Sequence, residues 1–366
     1  MAQLAEVVRR VGAAYLARLG NRVLPAQRRA MRDIAACRTA ELGGRLEACD
    51  TCRHRRFRYH SCRNRSCPVC QHDRAKRWVE RQRALQLPCP HYLVTFTLPA
   101  ELRALARSFQ RFVYDVLIRE AAGAVLTLAS DPRWVGGRPA ILAVLHTWSR
   151  DLAFHPHVHL LVSAGGLGPD GSSWVKPASP AFLVPGFALE KLFRARVNHA
   201  LSEAGFYLPQ PKGKRWVVHV KAVGCGDKAL RYLGRYLLRV AIADSSVENV
   251  DDGSTTFRFR DSTSGQTQRM TLASEAFLAR FLQHVLPSGF VKVRAYGLWS
   301  SASRQKLDCA RSILVARRDA LGCSTYPIVV SPEPEPAPEP AHQCPVCLVG
   351  RMVVVEVVPP FARPPP

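Results

Sequence analysis

FHPHVHLLV, residues 154–162, sets His157 and His159 two positions apart in an otherwise apolar run. Alternation along a β-strand sends positions i and i+2 to one face, so both imidazoles project together with apolar Val158 between them. Two imidazoles leave coordination positions open for water and a phosphate oxygen, as a catalytic metal requires. His155 is held extended by the proline after it and is a candidate third ligand or substrate contact. Working outward, the pattern predicts further strands at 91–98, 140–146 and 216–222, a hairpin around 255–260 and a short strand near 290–296. It predicts helices over 101–128, 189–203, 228–240 and 274–286. Strands interleaved with helices in a chain of this size give an α/β or α+β sandwich.

The helix expected over 228–240 reads KALRYLGRYLLRV, with Tyr232 and Tyr236 four apart on one face and Arg231, Arg235 and Arg239 on a neighbouring one. A phenol with a reference pKa near 10 is a poor nucleophile at neutral pH. A metal on the phosphate and a cationic surround would activate it. Attack on a DNA phosphate would leave a phosphotyrosine and a 3′-hydroxyl, so rejoining needs no ATP, and no phosphate-cradling GxxxxGK[ST] loop occurs in the chain. Taken alone, two tyrosines at this spacing are ordinary core or hydrogen-bonded surface residues; their conjunction with the histidines is what points to chemistry.

Cys49-x-x-Cys52 and Cys67-x-x-Cys70, fourteen residues apart, match the two-knuckle spacing of a structural zinc site, with Cys62 as the alternative ligand. The stretch around them is poor in apolar periodicity and needs a metal to fold. Eleven Arg or Lys lie between Arg53 and Arg83, Arg63 and Arg65 among them, with Phe57, Tyr59 and Trp78 interleaved. Such a surface suits phosphates, and the aromatics suit exposed bases. Cys344-x-x-Cys347 is half a site; Cys309 or Cys323 would have to fold back to complete it.

The 366-residue chain is 47% hydrophobic, enough for a buried core, and its net charge of +24 makes nucleic acid the first partner to consider. No apolar run is long enough to span a membrane and no signal peptide is evident, so a cytoplasmic location is expected. Twelve cysteines in that reducing compartment favour metal over disulfides. The expected divisions are a helical lead-in (1–45), a zinc-binding, DNA-binding module (46–87), a catalytic domain (88–300), an extension (301–330), a Pro/Glu-rich linker (331–343) and a CxxC tail (344–366).

At 155–159 and 232–236 the chain resembles the HUH endonucleases, in which two histidines flank a hydrophobic residue on a central strand and a downstream helix supplies tyrosine. CRNRSCPVCQ (62–71), LVTFTLP (93–99), LHTW (145–148), HPHVHLLVSAGG (155–166) and YLGRY (232–236) look like insertion-sequence transposases with two catalytic tyrosines, over roughly residues 30–300. The resemblance implies an α+β fold with a ferredoxin-like or RNA-recognition-like antiparallel sheet, Mg²⁺ or Mn²⁺ in the catalytic site beside the structural Zn²⁺, and rolling-circle transposition through single-stranded element ends at the bacterial nucleoid. It implies that Tyr232 and Tyr236 are the nucleophiles. The family's third metal ligand varies; His155 and Asp151 are candidates by proximity. A plasmid relaxase or replication initiator would share the chemistry, a non-catalytic zinc protein would leave the histidines and tyrosines unexplained, and a histidine-metal hydrolase would tolerate loss of both tyrosines.

Overall fold

The structure, a computed structural model, describes residues 3–70, 72–180, 182–206, 216–225, 230, 234, 241–251, 253–261, 264–316 and 343–360; for 72–77 and 225 the backbone alone is described. In chain order the helices are α1 (Leu4–Leu19), α2 (Pro25–Ala35), α3 (His72–Leu85), α4 (Arg103–Ser108), α5 (Gln110–Ala129), α6 (Gly186–Glu203), α7 (Ser274–Leu282) and α8 (Arg304–Ala316). The strands are β1 (Gly44–Cys49), β2 (Arg55–Tyr59), β3 (Pro90–Thr97), β4 (Ala140–Trp148), β5 (Phe154–Ser163), β6 (Gly166–Leu167), β7 (Trp174–Val175), β8 (Val218–Cys225), β9 (Val247–Val250), β10 (Ser254–Arg260), β11 (Thr267–Ala273), β12 (Val293–Gly297) and β13 (Met352–Val358). The chain divides into two units: Met1–Arg74, Arg239–Val285 and Val330–Pro366 form the first, Ala75–Leu238 and Leu286–Val329 the second.

The second unit is built on a five-stranded sheet in the order β12-β4-β5-β3-β8, antiparallel at every pairing. The succession β3, α4–α5, β4, β5, α6, β8 is the βαββαβ arrangement of ferredoxin-like folds, with β12 added beside β4. This is the α+β class with an antiparallel sheet that the resemblance implies, and it decides between the α/β and α+β alternatives left by the strand and helix pattern. Alternation sorts the side chains: Ile141, Ala143, Leu145, Val158, Leu160 and Val162 face a core completed by Tyr114, Leu117, Phe193 and Val197 of α5 and α6. On the other face Leu142, Val144 and Leu161 pack with Leu230, Trp299 and Leu307, Ala310 and Leu314 of α8. The helix expected as one piece over 101–128 is broken at Phe109 (φ −123, ψ 52), whose ring packs 4.9 Å from Phe206.

In the first unit α1 packs on α2, α7 and β9. Its first amide, Leu4 N, donates to Asp244 Oδ1 at 3.0 Å, and Arg18 pairs with Glu275 at 2.6 Å. The polar stretch expected as one hairpin inside the catalytic domain is a three-stranded meander, β9-β10-β11, that joins the N-terminal helices instead. The reason is burial: Phe277 and Phe281 of α7 are fully buried in this unit, as are Leu4 and Val7 of α1. A second small sheet, β13-β1-β2, ends β1 on Cys49. Glu47 on β1 is buried beside Arg45 and Arg56, each at 2.8 Å, and Arg58 at 3.6 Å. Burial pushes its carboxyl pKa up, but the Arg56 hydrogen bond and the neighbouring arginine charges outweigh that and hold it below the usual value. No helix among the described residues is long and apolar enough to cross a membrane.

Candidate metal centres and nucleic-acid interface

The register of β4 against β5 sets His146 opposite His157 and Val144 opposite His159, so His146, His157 and His159 project from one face of adjacent strands. Their ligand nitrogens all lie within 4.8 Å of one another. The rings stand at steep angles: 4.7 Å between His146 and His159, 4.9 Å between His157 and His159, and 5.3 Å between His146 and His157. Each β5 histidine is pinned from behind. His157 Nδ1 lies 2.7 Å from the His155 carbonyl oxygen, and His159 Nδ1 lies 2.8 Å from Thr95 Oγ1. A carbonyl can only accept, so His157 carries its proton on Nδ1, and Nε2 of that ring is left with its lone pair. Burial lowers the pKa of His157 to about 4 and of His159 to about 3, and pushes His146 well below the ordinary histidine value. Neutral imidazoles are the form that binds a metal.

His146 is the member that sequence reasoning missed. Its signal was present in LHTW, at the end of an expected strand, but only the β4–β5 register brings it opposite His157. The two candidates from proximity go elsewhere. His155 Nδ1 lies 2.9 Å from Arg103 Nη2, a group that can only donate, which leaves His155 Nε2 as a donor rather than a ligand. Asp151 accepts hydrogen bonds from Ser149 Oγ and, at 3.4 Å, from Ala153 N, closing the β4–β5 turn.

Tyr232, Tyr236, Arg231, Arg235 and Arg239 lie outside the described residues. Leu230 and Gly234, which are described, are helical and buried. Leu230 is fully buried among Leu142, Val144 and Leu161, on the sheet face that carries the three histidines. A Cβ on Gly234 would come within 2.1 Å of Val79 Cγ2, so α3 approaches at glycine distance.

The two cysteine pairs predicted to share one zinc do not meet. Cys67 and Cys70 join Cys37 and Cys62, with Sγ–Sγ distances of 3.6 Å for Cys37–Cys70, Cys62–Cys70 and Cys37–Cys67. Cys49 and Cys52 join Cys344 and Cys347, at 3.7 Å for Cys49–Cys347 and 3.6 Å for Cys52–Cys344. Zn–S bonds of about 2.3 Å in a tetrahedron place sulfurs roughly 3.8 Å apart, so the spacing fits zinc in both quartets. Cys62 is thus a full member of the first; Cys344 and Cys347 meet Cys49 and Cys52 rather than Cys309, whose thiol faces Gly171 O at 3.2 Å, and Cys323 lies outside the described residues.

On β2 alternation turns Arg56 and Arg58 toward Glu47 and leaves Arg55, Phe57 and Tyr59 exposed, the two rings 4.9 Å apart. The Phe57 ring occupies the space over Gly44, where a Cβ would meet it at 2.5 Å. Arg63 is exposed and Arg65 partly buried on the loop between Cys62 and Cys67. Trp78, grouped with these aromatics from sequence, packs instead against the core of the second unit.

Residues 140–306 match a protein family described as "Putative transposase", and residues 7–98 match one described as "Transposase zinc-binding domain". The chain is 36% identical to "Putative transposase y4qJ" of Sinorhizobium fredii, across 99% of this chain and 97% of that protein. It is 31% identical to "Transposase for insertion sequence element IS801" of Pseudomonas savastanoi pv. phaseolicola, across 72% of this chain and 67% of that one. No solved structure matches the chain.

Proposed function

The chain belongs to the family of insertion-sequence transposases that carry a transposase zinc-binding domain, and from that premise we propose that it cleaves and rejoins single-stranded DNA with Tyr232 and Tyr236 as nucleophiles, beside a divalent ion held by His146, His157 and His159. The observation that carries this reading is the trio of converging, neutral imidazoles on the sheet face against which Leu230 is buried. Leu230 stands two residues before Tyr232.

A Mg²⁺ or Mn²⁺ ion supplies Lewis-acid polarisation of the scissile phosphate, and an all-nitrogen donor set favours Mn²⁺ of the two. The chain's own groups do the rest. The His155 carbonyl and Thr95 Oγ1 orient the ligand rings, while Arg103 and the Nε2 hydrogen of His155 offer donors to a phosphate oxygen. One tyrosine Oη bonds to phosphorus as the P–O3′ bond breaks, its proton passing to solvent and the freed oxygen leaving as a 3′-hydroxyl. The resulting 5′-phosphotyrosine keeps the bond energy for rejoining, and the second tyrosine serves the strand-transfer step of rolling-circle transposition.

The zinc-binding domain carries structural zinc, which we assign to Cys37, Cys62, Cys67 and Cys70. That ion holds the loop of Arg63 and Arg65, and beside the arginines the exposed Phe57 and Tyr59 suit stacking on unpaired bases. Arg231, Arg235 and Arg239 would meet the backbone near the tyrosines.

The test is a denaturing gel of purified protein with Mn²⁺ and labelled single-stranded DNA from the element's ends. A covalent protein–DNA band is expected from wild type and from neither Tyr232→Phe/Tyr236→Phe nor His157→Ala. Cleavage that persists in the double tyrosine variant without a covalent band would make water the nucleophile and overturn the proposal.

A further inference from the structure

The transposase zinc-binding match ends at residue 98, yet Cys49 and Cys52 within it find their partners at Cys344 and Cys347. We propose that these four thiols hold a second, separate zinc ion, and that this ion fastens the tail of the chain to the N-terminal sheet as a zinc ribbon assembled from segments nearly three hundred residues apart.

Four features carry the inference. The first is spacing: 3.7 Å and 3.6 Å between sulfurs are far beyond the 2.05 Å of a disulfide and close to the edge of a zinc–thiolate tetrahedron.

The second is the backbone around the sulfurs. Thr51 N and Cys52 N both donate to Cys49 Sγ at 3.4 Å, Val346 N donates to Cys344 Sγ at 3.5 Å, and Gly350 N donates to Cys347 Sγ at 3.3 Å. Amides turned onto sulfur favour the thiolate, which is the ligand form. Each CxxC also closes its own tight turn, Cys49 N donating to His54 O and Cys344 N to Gly350 O, both at 2.8 Å. The two halves of the site therefore repeat one design.

The third is the seam between the halves. Asp50 N donates to Arg351 O at 3.0 Å, and Arg351 N donates to Asp50 Oδ1 at 2.8 Å. A Cβ on Gly350 would lie 2.4 Å from Cys49 Sγ and 2.6 Å from Thr51 Oγ1, so the tail turn is fitted to the N-terminal one at glycine distance.

The fourth is what is missing. β13 pairs with β1 from Gly44–Val358 to Cys49–Met352, but Val353, Val354, Val355 and Val357 are all 46–65% exposed. Among the described residues, the apolar cluster at this seam consists of Cys49, Cys344 and Met352, with Cys347 packed against it. So small a core adds little to the β1–β13 ladder, whereas a structural zinc contributes folding free energy directly.

The experiment is native mass spectrometry and metal analysis of the full-length protein purified without chelator, paired with limited proteolysis. All counts are made in a His157→Asn/His159→Asn background, which removes the histidine cluster as a zinc ligand set; that chain, the reference called wild type below, should carry two zinc ions. Cys344→Ser/Cys347→Ser and Cys49→Ser/Cys52→Ser should each carry one, and in both the tail should become cleavable while the remainder stays resistant. General unfolding of the module would release both ions, so a count of one separates loss of this site from misfolding. A single zinc in wild type, two retained in the tail variant, or none left in it would overturn the proposal.

Discussion

Replacing Thr95 by Val probes whether the clustered histidines are positioned from behind. Thr95 lies opposite His159 in the β3–β5 register, and its Oγ1 is 2.8 Å from Nδ1 of that ring. For His159 to offer Nε2 to a metal, the proton must sit on Nδ1 and donate to the threonine oxygen. Valine keeps the branched shape and the strand preference but removes the acceptor. His159 is only 9% exposed, so water replaces that acceptor poorly, and an unpaired buried donor costs about 1–3 kcal/mol. The metal-free ring escapes by moving its proton to Nε2, so the cost falls on the metal-bound state alone. Apparent Mn²⁺ affinity should drop roughly 10- to 100-fold, the range seen for outer-shell partners of metal histidines, with cleavage at saturating Mn²⁺ close to wild type. The assay is a Mn²⁺ titration of single-stranded DNA cleavage, with Thr95→Ser as the control that keeps the hydroxyl. Affinity within twofold of wild type in the valine variant, or an equal loss in the serine variant, would refute the reasoning.

Gly234→Ala places a methyl 2.1 Å from Val79 Cγ2 and should lower cleavage by displacing the segment that leads to Tyr236; adding Val79→Ala should restore it, measured as single-turnover cleavage of the two variants side by side. The histidine cluster also fixes a pH dependence. His157 and His159 have folded pKa values pushed down by burial to about 4 and 3, against about 6.5 in an unfolded chain, so below pH 6.5 the unfolded state takes up protons that the folded state refuses. Without divalent metal, the thermal midpoint of the second unit should therefore hold above pH 6.5 and fall steadily toward pH 4, with a shallower fall in His157→Asn/His159→Asn; equal slopes would remove the histidines as the cause.

The five-stranded sheet was legible in the sequence because local pattern decides it. Alternation in 91–98, 140–146 and 157–163 marks three strands whose two faces are set by burial, and the histidines stand out because they interrupt an apolar face. What stayed hidden depends on pairings between distant segments. Two CxxC pairs fourteen residues apart read naturally as one site, yet Cys37 and Cys62 complete one quartet and Cys344 and Cys347 the other. Spacing within a motif carries no information about a partner hundreds of residues away. The same limit hid His146, whose place depends on a register across the β4–β5 hairpin, and hid the attachment of 239–285 to the N-terminal helices, which follows from Asp244 meeting Leu4 and Glu275 meeting Arg18.

The pairing of β1 with β13 also sets a timetable for biosynthesis. Cys49 leaves the ribosome some three hundred residues before Met352, its partner in the ladder, and at 5–20 residues per second that interval is roughly 15 seconds to a minute. Throughout it β1 is hydrogen-bonded on the β2 side alone, with a row of bare amides and carbonyls on the other, the kind of strand edge that recruits foreign chains. The three arginines around Glu47 place a dense positive charge along this nascent hairpin, a natural deterrent to such recruitment. The N-terminal sheet is therefore begun early and finished last, so a chain interrupted between residues 298 and 351 would emerge with its five-stranded sheet fully translated and the β1 edge of its N-terminal sheet still open.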